Sequence, residues 1–365
     1  MSENAIIEVT SRTIQGRLLL LPSREVNAVI LGILGRALAT HPGMFLHGFV
    51  ILSNHFHMLL SALRLELLSS FVGFVKSNIA RKVGKLHDWE GIFWAKRYEP
   101  IPVLDEGAQI DRQRYILSHG CKEGLVADPL DWPGAKSAGV LLNGETLRGT
   151  WYDETAIYRA RRAGKDVDRE KYAIEYCVPI TPLPCLSALS EQERQATYAE
   201  MRDDICASTH ARIADTGKQP LGIERVLSMH PHSKPQASKR SPAPLCHAVS
   251  QEARTQYREE HRVFVDAYRR ASEQFLSGNL CVEFPGCCFR PPLPPSFAVA
   301  ASRPNAARAS NTTCSSESTV TATVHGNEHT PVGPGRQAPP ITTQRPCRDR
   351  LATGPPHNLP DRRSR

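Results

Sequence analysis

Two histidines separated by one residue, His55-Phe56-His57, are the side chains of this sequence best placed to do chemistry. On a β-strand alternate residues point to the same face, so both imidazoles can converge on one ion while Phe56 faces the other way. Imidazole binds metal through a neutral nitrogen, and two such ligands leave coordination positions open for a phosphate oxygen and for water. The bland alternative is a pair of partly buried histidines satisfied by hydrogen bonds. An HxH triplet alone does not choose between the two.

The triplet lies within alternating β-like and helical patterns that fill the first 120 residues. The β-branched run Ile6 to Thr13 predicts a strand, and a helix follows near Arg24 to Ala39. Met44 to Leu52 and His55 to Leu60 are apolar runs on either side of the turn-prone pair Ser53-Asn54, which predicts a buried hairpin. Next, Leu65, Leu68, Phe71, Val72, Val75, Ile79, Val83 and Leu86 recur at helical spacing, with Lys76, Arg81, Lys82 and Lys85 elsewhere on the turn. A strand from Ile92 to Leu104 and a helix from Asp105 to about His119 complete the order β-α-β-β-α-β-α. That order predicts an α+β fold, an antiparallel sheet with helices on one face.

After Trp132-Pro133-Gly134 the pattern turns helical. Ser190-Glu191-Gln192-Glu193 has capping-box spacing before a helix ending near Gly217. A second helix runs from about Gln251 to Ser277, carries Tyr257, His261, Phe264, Tyr268, Ala271 and Phe275 on one stripe, and stops at Gly278. Ser241-Pro242-Ala243-Pro244 marks a rigid loop between them. The reading is therefore a catalytic domain over 1–135, a mainly helical accessory region over 136–297, and a Pro/Ser/Thr/Arg-rich tail over 298–365 that is too poor in large apolar residues to fold.

Composition narrows the class without deciding it. A hydrophobic fraction of 41% and a charged fraction of 22% are those of a globular chain. No apolar run is long enough to span a membrane and no secretory pattern opens the chain, so a cytoplasmic protein without a membrane partner is expected. Ten scattered cysteines without a CxxC pair give neither a disulfide framework nor a zinc-finger spacing. Of the net charge of +8, five units belong to the tail, where nine arginines face four acids. Bulk charge is thus weak evidence for a nucleic-acid partner.

The motifs are more specific. Gly48-Phe49-Val50-Ile51-Leu52-Ser53-Asn54-His55-Phe56-His57-Met58-Leu59-Leu60 resembles the HUH segment of the single-tyrosine transposases, most of all the REP-associated tyrosine transposases. Arg114-Tyr115-Ile116-Leu117-Ser118-His119, with Gly120 to Pro129 and Trp132-Pro133 behind it, resembles the tyrosine helix of that family and its exit. Gly91 to Tyr98 falls where relatives carry an aromatic and basic segment. The resemblance covers roughly residues 5 to 135 and implies a ferredoxin-like HUH nuclease domain. It implies that His55 and His57 bind Mg²⁺ or Mn²⁺ and that Tyr115 attacks DNA, leaving a 5′-phosphotyrosine and a free 3′-hydroxyl. The substrate implied is single-stranded or hairpin DNA, cut and rejoined in transposition by enzymes that work alone or as homodimers. One departure stands out: the family places Gln or Asn four residues after the tyrosine as third metal ligand, and this chain has His119. Spacing of four keeps His119 on the face of Tyr115, where its imidazole either replaces the amide or abolishes activity.

Tyr98 is the rival nucleophile, and a tyrosine packed on the sheet is the plain alternative for Tyr115. Trp94, Lys96, Arg97, Arg112 and Arg114 are the candidate DNA contacts, Lys96 and Arg97 foremost, although a solvated face accounts for several of the basic residues equally well. Three functions follow: an active transposase, a relative that binds hairpin repeats without cutting, or a small-molecule metalloenzyme. The last needs a mostly β barrel, which the helical patterns oppose.

Overall fold

The computed structural model describes residues 5–235, 243–286 and 288–293, all within one compact unit. The predicted tail over 298–365 lies outside the described residues, as do Ser241 and Pro242 of the predicted loop. Strands β1 (Ile6–Arg12), β2 (Met44–Ile51), β3 (His55–Ala62) and β4 (Glu99–Val103) form an antiparallel sheet in the order β2-β3-β1-β4. Helix α1 (Arg24–Thr40) connects β1 to β2, and α2 (Leu65–Leu86) connects β3 to β4. This is the β-α-β-β-α-β arrangement expected from the sequence, closed by a helix α3 (Glu106–Lys122).

Local chemistry accounts for the helix starts. The Ser23 hydroxyl accepts the amide of Val26 at 3.1 Å to open α1, and an Asp105 carboxylate oxygen accepts the amide of Ala108 at 2.7 Å to open α3. Helix α2 has no side-chain cap. Its apolar stripe places it instead, with Leu68, Phe71, Val72, Val75, Ile79 and Val83 all buried.

The expectation of helices on one face is corrected. Ile7, Val9, Phe56, Met58 and Leu60 pack with α1 and α2, while Ile6, Val50, Leu59 and Val103 pack with Ile116, Leu117 and Cys121 of α3. Helices thus cover both faces, and β3 is buried along its whole length. The physical reason is visible in β2 and β3, which are near-continuous apolar runs and so have no face fit for water.

A second correction concerns the strand expected from Ile92 to Leu104, of which only Glu99–Val103 is strand. The residues before it meet the sheet through one bridge, Thr13 with Trp94, and are otherwise tied to α2. The Trp94 indole donates to the Lys76 carbonyl at 2.9 Å, and the Lys76 amine donates to the Lys96 carbonyl at 3.0 Å. With prolines at 100 and 102, β4 suits the sheet edge it occupies.

The remaining elements are α4 (Ala138–Asn143), β5 (Arg148–Tyr152), α5 (Glu154–Arg162), β6 (Ala173–Cys177), α6 (Glu191–Thr216), α7 (Ile223–Leu227) and α8 (Gln251–Leu276). The mainly helical reading of this region missed β5 and β6, which pair with each other and lie on α1. Their contact is close enough to require glycine: a Cβ built on Gly32 of α1 would overlap the Thr150 carbonyl, and one on Gly149 would overlap the Gly32 amide. The capping box is present in both halves, with the Glu193 amide donating to the Ser190 hydroxyl at 3.3 Å and the Ser190 amide to Glu193 at 2.8 Å. Gly217, at φ 67°, ends α6. The stripe of α8 is only partly covered, Ala271 and Phe275 being its buried members. Among the described residues no helix is long and apolar enough to cross a membrane, and the seven described cysteines are free.

Helix propensity alone would favour Gly32→Ala by about 1 kcal/mol. The overlap with β5 reverses the sign, and urea unfolding should register a loss of about 2 kcal/mol or more. A gain in stability would mean that α1 and β5 are not in contact.

Candidate active site

On β3, His55 and His57 face away from Phe56, whose ring meets Trp94 edge-on at 5.5 Å. Helix α3 crosses that polar side of the sheet and presents Tyr115 and His119 one turn apart. His55 Nε2 and His119 Nε2 lie 2.7 Å apart, and the rings of His57 and His119 are 4.5 Å apart between centroids. The Tyr115 ring sits 5.3 Å from that of His57 and 4.8 Å from that of His119. All three histidines are buried, with one ligand nitrogen from each within 4.8 Å of the others. They and Tyr115 line a cavity of about 510 Å³ that opens between the start of the chain and the loop before β4.

Neighbouring oxygens decide where two of the imidazole protons sit. His55 Nδ1 is 2.6 Å from Asn54 Oδ1, and the Asn54 amide nitrogen donates to the Gly16 carbonyl at 3.1 Å, which turns its oxygen toward the ring. His57 Nδ1 donates to Glu8 Oε1 at 2.7 Å. Both rings therefore carry the proton on Nδ1 and keep the Nε2 lone pair for the site. His119 Nδ1 is buried without a hydrogen-bond partner among the described residues.

Electrostatics keep these groups in forms fit for ligation. Burial, reinforced by the nearby His57 and Arg12, holds His55 well below the usual imidazole range. Burial and then the neighbouring His57 and His55 do the same to His119. For Glu8 burial pushes the other way, but contacts from His247 and His57 and the charge of Arg112 outweigh it and hold the carboxyl far below its ordinary value. Burial raises the Tyr115 phenol, the Glu8 charge adds to that, and Arg112 partly offsets it. The phenol is consequently protonated at neutral pH, with the Arg112 guanidinium 4.0 Å and the Lys122 amine 4.2 Å from its ring centre. His55 and His57, with their protons turned outward, fit a divalent cation together with His119, and among the described residues only these three form such a group.

No family model and no curated protein matches the chain. The solved structures it is similar to include two transposases. One is a REP-associated tyrosine transposase bound to a REP hairpin, with 13% identity and a TM-score of 0.32 over 50% of this chain and 92% of the other. The second is a provisionally named transposase from Deinococcus radiodurans R1, with 20% identity and a TM-score of 0.25 over 32% of this chain and 91% of that one.

The four residues singled out for chemistry thus meet around one cavity, whereas the rival Tyr98 packs half-buried against the core under α1 and α2. The candidate DNA contacts divide. Lys96 is exposed at the cavity rim, paired with Glu99, and Arg97 is exposed beside it. Trp94 is engaged in the core instead, its ring against Phe56 and Phe93. Arg112 turns inward to Glu8 at 3.5 Å, and Arg114 pairs with Asp204 of α6 at 2.6 Å. On α2, Lys76 is buried and Lys82 half-buried, and burial pushes both amines down to about 8. Sequence reasoning missed Glu8, Asn54 and His247. The one available signal was a lone acid in the apolar run of β1.

A pH dependence follows from the lowered imidazoles. His47, buried against Ser61 and the carbonyls of Thr181 and Pro182, is lowered by burial as well. Below about pH 6.5 the unfolded chain takes up protons that folded His47, His55 and His119 exclude, at a cost of roughly 1 kcal/mol per pH unit for each excluded proton. Glu8 acts in the same direction lower down: its stabilisation is complete above about pH 4.3 and is lost as the pH falls toward its lower folded value. The urea midpoint should therefore be lower at pH 5.5 than at pH 7.5. Equal midpoints would show that the imidazoles are not held neutral.

Proposed function

We propose that this chain is a metal-dependent DNA transposase that cleaves and rejoins single-stranded DNA through a 5′-phosphotyrosine, with Tyr115 as nucleophile. The observation that carries the reading is the meeting of that phenol with three buried imidazoles around one cavity. His55, His57 and His119 would hold the cation, Mg²⁺ or Mn²⁺ by the sequence resemblance, and when bound it supplies Lewis-acid polarisation of a nonbridging phosphate oxygen.

Tyr115 Oη attacks the phosphorus in line, and the bond from phosphorus to the DNA 3′-oxygen breaks as the new one forms. The leaving oxygen keeps the bonding pair and ends as a 3′-hydroxyl. The proton it gains balances the one the phenol gives up. As negative charge develops on the phenol oxygen, the Arg112 guanidinium and Lys122 amine against its ring favour that charge. Because the phosphodiester is exchanged and not hydrolysed, a second DNA 3′-hydroxyl reverses the step and joins new ends without ATP.

The second reading, a relative that grips hairpin repeats without cutting, is favoured by one feature. His119 stands where the family has an amide, and its Nε2 lies against that of His55. A single assay separates the two. Purified protein is incubated with labelled single-stranded hairpins and Mg²⁺ or Mn²⁺, then run on a denaturing gel. The wild type and Tyr98→Phe should both form a covalent adduct, and Tyr115→Phe should form none. Tight hairpin binding without any adduct would favour the noncutting relative.

Lys96, at the rim, and the exposed Arg97 beside it should guide the DNA backbone. Reversing both charges should weaken hairpin binding and reduce the steepness of its salt dependence. Unchanged affinity across a salt series would remove both from the binding surface.

A further inference from the structure

The segment leading into α8 runs along the outer edge of the sheet. The Leu104 amide donates to the His247 carbonyl at 2.9 Å, and the His247 amide to the Pro102 carbonyl at 2.8 Å, so the segment covers the open side of β4. Asp105 fastens it, one carboxylate oxygen accepting the amides of Val249 and Ser250 at 2.8 and 3.0 Å while the other caps α3. This backbone arrangement aims the His247 side chain inward, where Nε2 lies 2.7 Å from Glu8 Oε2. Its other nitrogen, Nδ1, lies 3.4 Å from an Arg112 guanidinium nitrogen. Arginine only donates, so Nδ1 accepts and the ring proton is on Nε2, the nitrogen beside the carboxylate.

Glu8 is 2% exposed and stands between two histidines, one oxygen taking the His57 proton and the other facing His247. Arg112, at 3.5 Å, is the remaining charge against that second oxygen. Glu8 Oε1 is fixed by the hydrogen bond from His57, and the close contact of Oε2 with His247 Nε2, though not a hydrogen bond of good geometry, leaves the carboxylate little room to swing on its flexible stem.

We propose that His247 is a positioning residue of the candidate metal centre: it fixes Glu8 so that Glu8 in turn holds His57 with Nε2 toward His55 and His119. This rests on reading His57 as a ligand. It gives the region beyond residue 136 a share in the site through a single side chain.

The test uses the full chain and two readouts. Without metal, nitrogen-15 NMR of the histidines should show the His57 Nδ1 proton protected from exchange in wild type and lost to exchange in His247→Ala. In a calorimetric titration with MnCl₂, His247→Ala should bind more weakly by about three-fold or more, short of the roughly ten-fold or greater loss expected on removing Glu8, the direct outer partner of the ligand. His247→Gln, whose amide can reach the same oxygen, should recover part of both. Val249→Ala, on the same segment and 60% exposed, should change neither. The proposal is overturned if His247→Ala keeps both the Mn²⁺ affinity and the protected proton, or if Val249→Ala loses as much. Should His247→Ala not fold, His247→Gln decides: wild-type values in both readouts oppose the proposal only if His247→Asn, which cannot reach the oxygen, matches them. Wild type that binds no Mn²⁺ would defeat the metal reading, and the proton readout would still decide this one.

Discussion

Three imidazoles can share one buried space only if their protons point out of it. In this protein oxygens outside the cluster meet that condition for two of the rings, Asn54 for His55 and Glu8 for His57, while burial keeps His55 and His119 neutral. Everything else in the site is subordinate to this arrangement. The hairpin turn supplies Asn54, the sheet neighbour β1 supplies Glu8 two residues out of register with His57, and α3 lays the third ring and the phenol across the top. An apolar sheet buried on both faces is what makes such a cluster tenable, because it excludes water that would otherwise compete for the nitrogens.

Much of this was legible from local pattern. The stripe from Leu65 to Leu86 gave α2 end to end, since one helical period runs through it without a break. The capping box at Ser190 and the stop at Gly217 were read from residue types whose backbone chemistry leaves few alternatives. His55 and His57 shared a face for the same kind of reason, the two-residue period of a strand.

The failures all depend on distance along the chain. Trp94 looked like a strand aromatic because nothing local says that its indole will be used on the Lys76 carbonyl. Strands β5 and β6 are five residues each, too short for a period, and they exist because α1 offers a glycine-lined surface for them. The choice of sheet face for α3 is a packing decision made between elements. Glu8 and His247 stand near opposite ends of the described chain, and no spacing rule joins them.

Asp105 has a consequence of its own. One carboxylate terminates the helix that bears Tyr115 and His119 and also pins the strand-edge segment that bears His247. The start of α3 and that segment therefore have no independent hinge, and whatever loosens one frays the other. In hydrogen-exchange terms they belong to a single cooperative unit, so helix α3 inherits the local stability of a stretch of chain far removed from it in sequence.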